Sequence, residues 1–136
     1  MVLLDRLISV DQENLCAEVA IHPGSLFCGA DGVGAWVGIE YMAQAIAAYA
    51  GHAAKLRGEP VKIGFLLGSR RYECSRPVFA VGSVLRVHVQ RVLQSENGLG
   101  SFECHIDEME QRLATATVTV FQPANANEFL KEAMNE

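Results

Sequence analysis

An α+β fold, with an antiparallel sheet wrapped around one long central helix, is predicted by three features of the sequence. A single alanine-rich apolar stretch, Val33 to Ala54, carries one fully charged residue, Glu40. Runs that alternate between apolar and polar residues stand on both sides of it. Tight-turn signals separate the later runs, where a parallel sheet would need helical crossovers.

Taken in order, Leu3 to Val10 reads as the first strand, and the polar turn Asp11-Gln12-Glu13-Asn14 closes it. In the second strand Leu15, Ala17, Val19 and Ile21 point one way and Cys16, Glu18 and Ala20 the other, until His22-Pro23-Gly24 ends it. A glycine-rich loop runs on to Gly34. The helix spans roughly Ala35 to Arg57. Gly58-Glu59-Pro60 stops it, and Lys55 and Arg57 favour the negative end of its dipole.

Strand patterns follow over Lys62 to Tyr72, Ser83 to Leu93, the segment after the hairpin signal Asn97-Gly98, and Arg112 to Phe121. Leu85, Val87 and Val89 face inward on one of these strands, and Phe102, Cys104 and Ile106 on another. Asn125 to Glu136 is a polar tail of helical composition on what reads, over 1–136, as one domain without repeat or linker. A helix apolar on nearly every side must be surrounded. An antiparallel sheet curled around such a helix is the hotdog fold, and its open edges imply at least a dimer.

Composition narrows the function. Half of the 136 residues are apolar, which is sufficient for a core without staples. The net charge of −5 argues against nucleic acid as a partner, since phosphate binding needs a basic face. Cys16, Cys28, Cys74 and Cys104 show no close pairing, so they read as reduced thiols of a cytoplasmic chain, with no metal site expected. The opening Met1-Val2-Leu3-Leu4-Asp5 lacks the basic region of a signal peptide. Val33 to Ala54 is long enough for a bilayer, but Glu40, Gln44, Tyr49, Gly51 and His52 would enter lipid, so no membrane span is expected. Gly32-Val33-Gly34 lacks the third glycine of a dinucleotide loop.

Glu40 is the anomaly. Its neighbours are Trp36, Val37, Ile39, Tyr41, Met42 and Ala43, so the pattern predicts a buried carboxylate. Burial without a partner is costly and favours the protonated form, which suits a general acid or base. The alternative is that Glu40 caps the helix start or pairs with Arg70 or Arg71. Gln44, four residues on, shares its helical face and is expected to orient it, hold a ligand or fill a polar notch. Backbone amides at the helix start, with glycines that permit close approach, suit a thioester oxygen.

Gly38-Ile39-Glu40-Tyr41-Met42-Ala43-Gln44 resembles the helix motif of the 3-hydroxyacyl-(acyl-carrier-protein) dehydratases. Arg76-Pro77-Val78, Val81-Gly82-Ser83-Val84-Leu85 and Leu3-Leu4-Asp5-Arg6 are similar to other segments of these enzymes. Gly64-Phe65-Leu66-Leu67-Gly68-Ser69-Arg70-Arg71 and Phe121-Gln122-Pro123 resemble a divergent branch associated with aryl polyene synthesis. The likeness runs from Leu3 to Pro123.

The resemblance implies a hotdog enzyme that dehydrates 3-hydroxyacyl thioesters in fatty acid or aryl polyene synthesis. The substrate rides on the phosphopantetheine of an acyl carrier protein, and no other cofactor is implied. The partners it implies are that carrier and a second hotdog subunit, in a homodimer, a heterodimer or a higher oligomer. Glu40 stands at the family's carboxylate position. At the family's spacing the histidine position holds Leu26, within Leu26-Phe27-Cys28-Gly29, so the nearest substitute is His22, four residues upstream.

With both groups present, His22 removes the proton beside the carbonyl and Glu40 protonates the departing hydroxyl. Without His22, Glu40 serves both steps, or the chain is a non-catalytic partner of an active subunit. Thioester hydrolysis, with Glu40 activating water, is the other chemistry of the fold. Gln44, Gly34 and Trp36 are the expected substrate contacts. Arg70 and Arg71, with Lys62, Arg76 and Arg86, are candidates for a basic rim facing the carrier.

Overall fold

The computed structural model describes residues 3–59, 65–96 and 98–121, without the side chains of 65–67, 69 and 70. Lys62, Asn97 and the predicted tail from Asn125 lie outside the described residues. The strands are β1 (Arg6–Val10), β2 (Asn14–Ala20), β3 (Gly32–Gly34), β4 (Phe65–Cys74), β5 (Val78–Ala80), β6 (Val84–Gln94), β7 (Leu99–Glu108) and β8 (Gln111–Phe121). A 3-10 turn, Ala35–Val37, runs into the long helix α1, Gly38–Leu56.

Antiparallel pairing joins six strands in the order β1-β2-β6-β7-β8-β4, leaving β1 and β4 as edges. The alternation explains the register. Leu15, Ala17 and Val19 on β2 lie opposite Val89, Val87 and Leu85 on β6, and all six are buried. These side chains meet Tyr41, Met42, Ala45, Ile46 and Tyr49 of α1, which form the helix's contribution to the core. The antiparallel sheet and single long helix are those of a hotdog fold.

Two expectations change. The glycine-rich loop contains a strand: β3 pairs with β5 as a separate two-stranded sheet. A Cβ at Gly32 would lie 2.1 Å from the Phe79 carbonyl oxygen, and the φ of +144° there suits glycine alone. Here the absent side chain admits a neighbouring strand.

The larger change concerns the helix. The sheet covers one side of α1, whereas Trp36, Glu40, Ala47 and Ala48 are exposed and Ala43, Ala50, Gly51 and Ala53 are half-buried. One sheet layer can cover only one face of a cylinder. The outward face, apolar apart from Glu40, is therefore open in the single chain, and the sheet wraps the helix on its other side only.

The β7–β8 hairpin carries local strain. Glu108 faces Gln111 across the turn, and Met109 between them has a φ of +54° and is 91% exposed. A side chain in that region costs roughly 1–2 kcal/mol, which exceeds the usual entropic cost of a glycine. Met109→Gly is therefore expected to raise stability by about 1 kcal/mol, measured as a higher urea midpoint at unchanged slope.

On the outer sheet face His88 of β6 and His105 of β7 are register partners, with rings stacked at 4.5 Å. Burial is the largest cause holding both imidazoles below their ordinary value. Asp107 opposes it, and Arg112 reinforces it. Each therefore folds as the neutral base and binds fewer protons than it does unfolded. Their contribution to stability is complete above the unfolded value, about 6.5. It is lost as pH falls through the lowered folded values. Urea midpoints between pH 7.5 and 5 should fall less steeply in His88→Gln than in the parent.

Candidate active-site surface

Glu40 lies in the first turn of α1, and its side chain is exposed. No hydrogen bond or ion pair joins it to another described residue, so it neither caps the helix nor pairs with Arg71. The buried carboxylate predicted from its neighbours is thus corrected. Tyr41 and Met42 turn toward the sheet, while Glu40 turns with the uncovered face. That face is apolar around it.

Trp36 stands one helical turn before Glu40 and is 64% exposed; its ring packs on Phe27 with centroids 5.5 Å apart. Phe27 is itself 47% exposed and has a φ of +66°, a strained conformation for a bulky residue. In the sequence Phe27 stands out only as part of Leu26-Phe27-Cys28-Gly29 and gains no role there, because a loop phenylalanine carries no periodic signal.

Other predicted contacts take different roles. The space a side chain would fill at Gly34 holds the Trp36 indole, whose Nε1 would lie 2.6 Å from a Cβ there. Gln44 accepts the Leu3 amide at 2.7 Å and so ties the segment before β1 to the helix. No side chain caps the helix start, and the Ala35 amide is engaged by the Pro77 carbonyl at 2.9 Å. The Trp36 and Val37 amides follow in the first turn, where a helix offers no internal acceptor.

Two candidates for the basic rim are engaged with neighbours on the sheet. Arg76 donates to Glu108 and to Gln111, both at 2.9 Å, and Arg86 lies 3.5 Å from Glu18. Arg71 is exposed at a register break in β4, with a φ of +55°. The side chain of Arg70 and all of Lys62 lie outside the described residues.

His22 is exposed and lines a cleft of about 260 Å³ with Leu3, Asp5, Ser25, Leu26 and Tyr41 among its walls. Burial first, then the charges of Asp5 and Cys28, push the Tyr41 hydroxyl up to about 12, so it remains a donor at neutral pH. Glu40, Gln44, Gly34, Trp36 and Arg71 do not line this cleft. This cleft therefore does not bring His22 and Glu40 together. All four cysteines are free, and no three metal-ligating side chains cluster among those residues. No described helix is long and apolar enough to cross a membrane.

The fold and this surface define a hotdog protein with a carboxylate presented on the open face of its helix. The ApeP-like family, described as ApeP dehydratase, matches residues 1–131, and the chain belongs to that family. It is similar to a chain of the dehydratase heterocomplex ApeI:P from Xenorhabdus doucetiae at 34% identity and a TM-score of 0.89, over 99% of this chain and 90% of that one. A hypothetical thioesterase with coenzyme A from Streptococcus pneumoniae (14% identity, TM-score 0.67, 86% of each chain) shares the fold. So does the PaaI protein of E. coli (16%, TM-score 0.66, 88% of this chain and 79% of that one). None of the curated proteins matches by sequence.

Proposed function

We propose that this chain is one subunit of a two-subunit dehydratase that acts on 3-hydroxyacyl thioesters carried by acyl carrier protein in aryl polyene synthesis. An ApeI-type hotdog subunit covers its Trp36–Glu40 face. The observation that carries this reading is Glu40, a lone carboxylate on an apolar helix face beside exposed Trp36 and Phe27. A second subunit laid over that face removes water from the carboxylate and leaves a greasy wall for an acyl chain.

Glu40 then takes the proton from C2 of the substrate and delivers it to the departing C3 hydroxyl. The C2–H and C3–O bonds break, the C2=C3 double bond forms, water leaves and the carboxylate is restored. The family match supports the reaction class, and the X. doucetiae heterocomplex supports the choice of partner. Arg71, exposed on β4, is assigned to the carrier's acidic surface.

The test is an assay of the chain with and without an ApeI subunit, on a 3-hydroxyacyl carrier protein, following water loss by mass and thiol release by a colorimetric reagent. Water loss that requires both subunits, without thiol release, is expected. Thiol release instead would establish the thioesterase reading. Full water loss by the ApeI subunit alone would make this chain a non-catalytic partner.

A further inference from the structure

Trp36 and Phe27 are both exposed, yet the backbone around them is closely fixed. The Cys28 amide donates to the Ser25 carbonyl at 3.1 Å, and Cys28 bridges to Val33 of β3. Phe27, held between these points, takes a φ of +66°, which a bulky side chain adopts only under constraint. Trp36 is seated from the other side. A Cβ at Gly34 would lie 2.6 Å from the indole Nε1 and 2.8 Å from Cδ1, so a side chain there would displace the ring. The rings meet with an interplanar angle of 59°. Burial within this chain does not offset the strain, because much of each ring stays in solvent.

The surroundings of Glu40 give the pair its use. Of the residues three or four positions from Glu40, Val37 is buried, Ala43 is small and half-buried, and Gln44 accepts the Leu3 amide. Trp36 alone among these four presents a large apolar surface. It stands about 6 Å from Glu40 along the helix axis, within reach of the chain carbons that follow C3. A fixed, flat ring distinguishes acyl chains by stiffness and by π character. A conjugated chain is planar and already extended, so it loses little freedom against the indole and gains stacking. A saturated chain of the same length gains apolar contact only and must give up its rotamers.

We infer that Trp36, braced by Phe27, is the specificity-determining surface of the site and favours 3-hydroxyacyl chains conjugated beyond C3 over saturated chains of equal length. This deepens the dehydratase reading and rests on it. The ApeI-type subunit closes over the pair, and the acyl chain lies between.

The test measures kcat/KM of the assembled complex on two 3-hydroxyacyl carrier proteins of equal chain length, one conjugated from C4 onward and one saturated. A conjugated alcohol eliminates more readily by itself, so the readout is the ratio of the two constants in a variant against that in the parent. Trp36→Leu should lower the ratio about 3–10-fold, the usual worth of an aromatic pair beyond its buried area, with the loss falling on the conjugated substrate. Phe27→Leu keeps the indole, removes its brace and should lower the ratio by less. Gel filtration follows the assembly of each variant with the ApeI subunit. A ratio that holds in both variants, whether the two rates stay or fall together, would overturn the inference. Failure of Trp36→Leu to assemble would make the ring a subunit contact and overturn it as well. A parent complex that forms no unsaturated product from either substrate would instead sink the dehydratase reading, and this role with it.

Discussion

Replacing Glu40 by glutamine is expected to slow dehydration by the assembled complex about 10²–10⁴-fold, the range for losing a positioned acid or base. Glutamine keeps the size and polarity of the side chain and removes only its capacity to carry a proton. Because Glu40 is exposed and its side chain makes no hydrogen bond or ion pair with another described residue, the isolated chain should keep its stability to within about 0.5 kcal/mol. The two readouts separate chemistry from folding. An unchanged rate would remove Glu40 from the reaction, and a falling urea midpoint would mean that it supports the fold.

Gly38→Ala should do the reverse, damaging the fold at a position that takes no part in the chemistry. A Cβ there would lie 2.1 Å from Tyr72 Oη, 3.1 Å from its Cζ and 3.2 Å from Ile106 Cδ1. The Tyr72 hydroxyl donates to the Ala35 carbonyl, so the same collision pulls β4 away from the start of α1. Overpacking of roughly 1–3 kcal/mol adds to the loss of a hydrogen bond worth about 1 kcal/mol. A total near 3 kcal/mol is expected, read from urea denaturation. Tyr72→Phe removes the atom that collides first. Gly38→Ala/Tyr72→Phe should therefore be more stable than Gly38→Ala alone, and a double variant that is worse would place the strain elsewhere.

The architecture was legible where the physics is periodic. Leu15, Ala17 and Val19 alternate with more exposed neighbours because each fits one face of a pleated strand, and all three are buried together. The strands β3 and β5 are three residues each, too short to carry a period, and β3 has glycine at both ends. The misreading of Glu40 has a more general cause. Ala43, Ala47 and Ala50 announce that a helix face will be covered, but not whether the cover belongs to the same chain. The sequence therefore supports burial of Glu40 in an assembly, and the single chain leaves it exposed.

Two members of the expected basic rim, Arg76 and Arg86, meet acidic partners that the sequence did not announce. Arg76 meets Glu108 across 32 residues of sequence, a pairing that only strand register creates.

A second subunit that closes over the face carrying Glu40 must also cover Trp36, one helical turn away. Trp36 is the only tryptophan in the chain, so 5-fluorotryptophan placed in this subunit alone reports on that face through its 19F resonance. In the isolated chain the resonance should show the solvent isotope shift of an exposed indole. On addition of an unlabelled ApeI subunit it should move and lose most of that shift. A complex that forms by gel filtration while Trp36 keeps its full solvent shift would place the partner elsewhere and contradict the shared site.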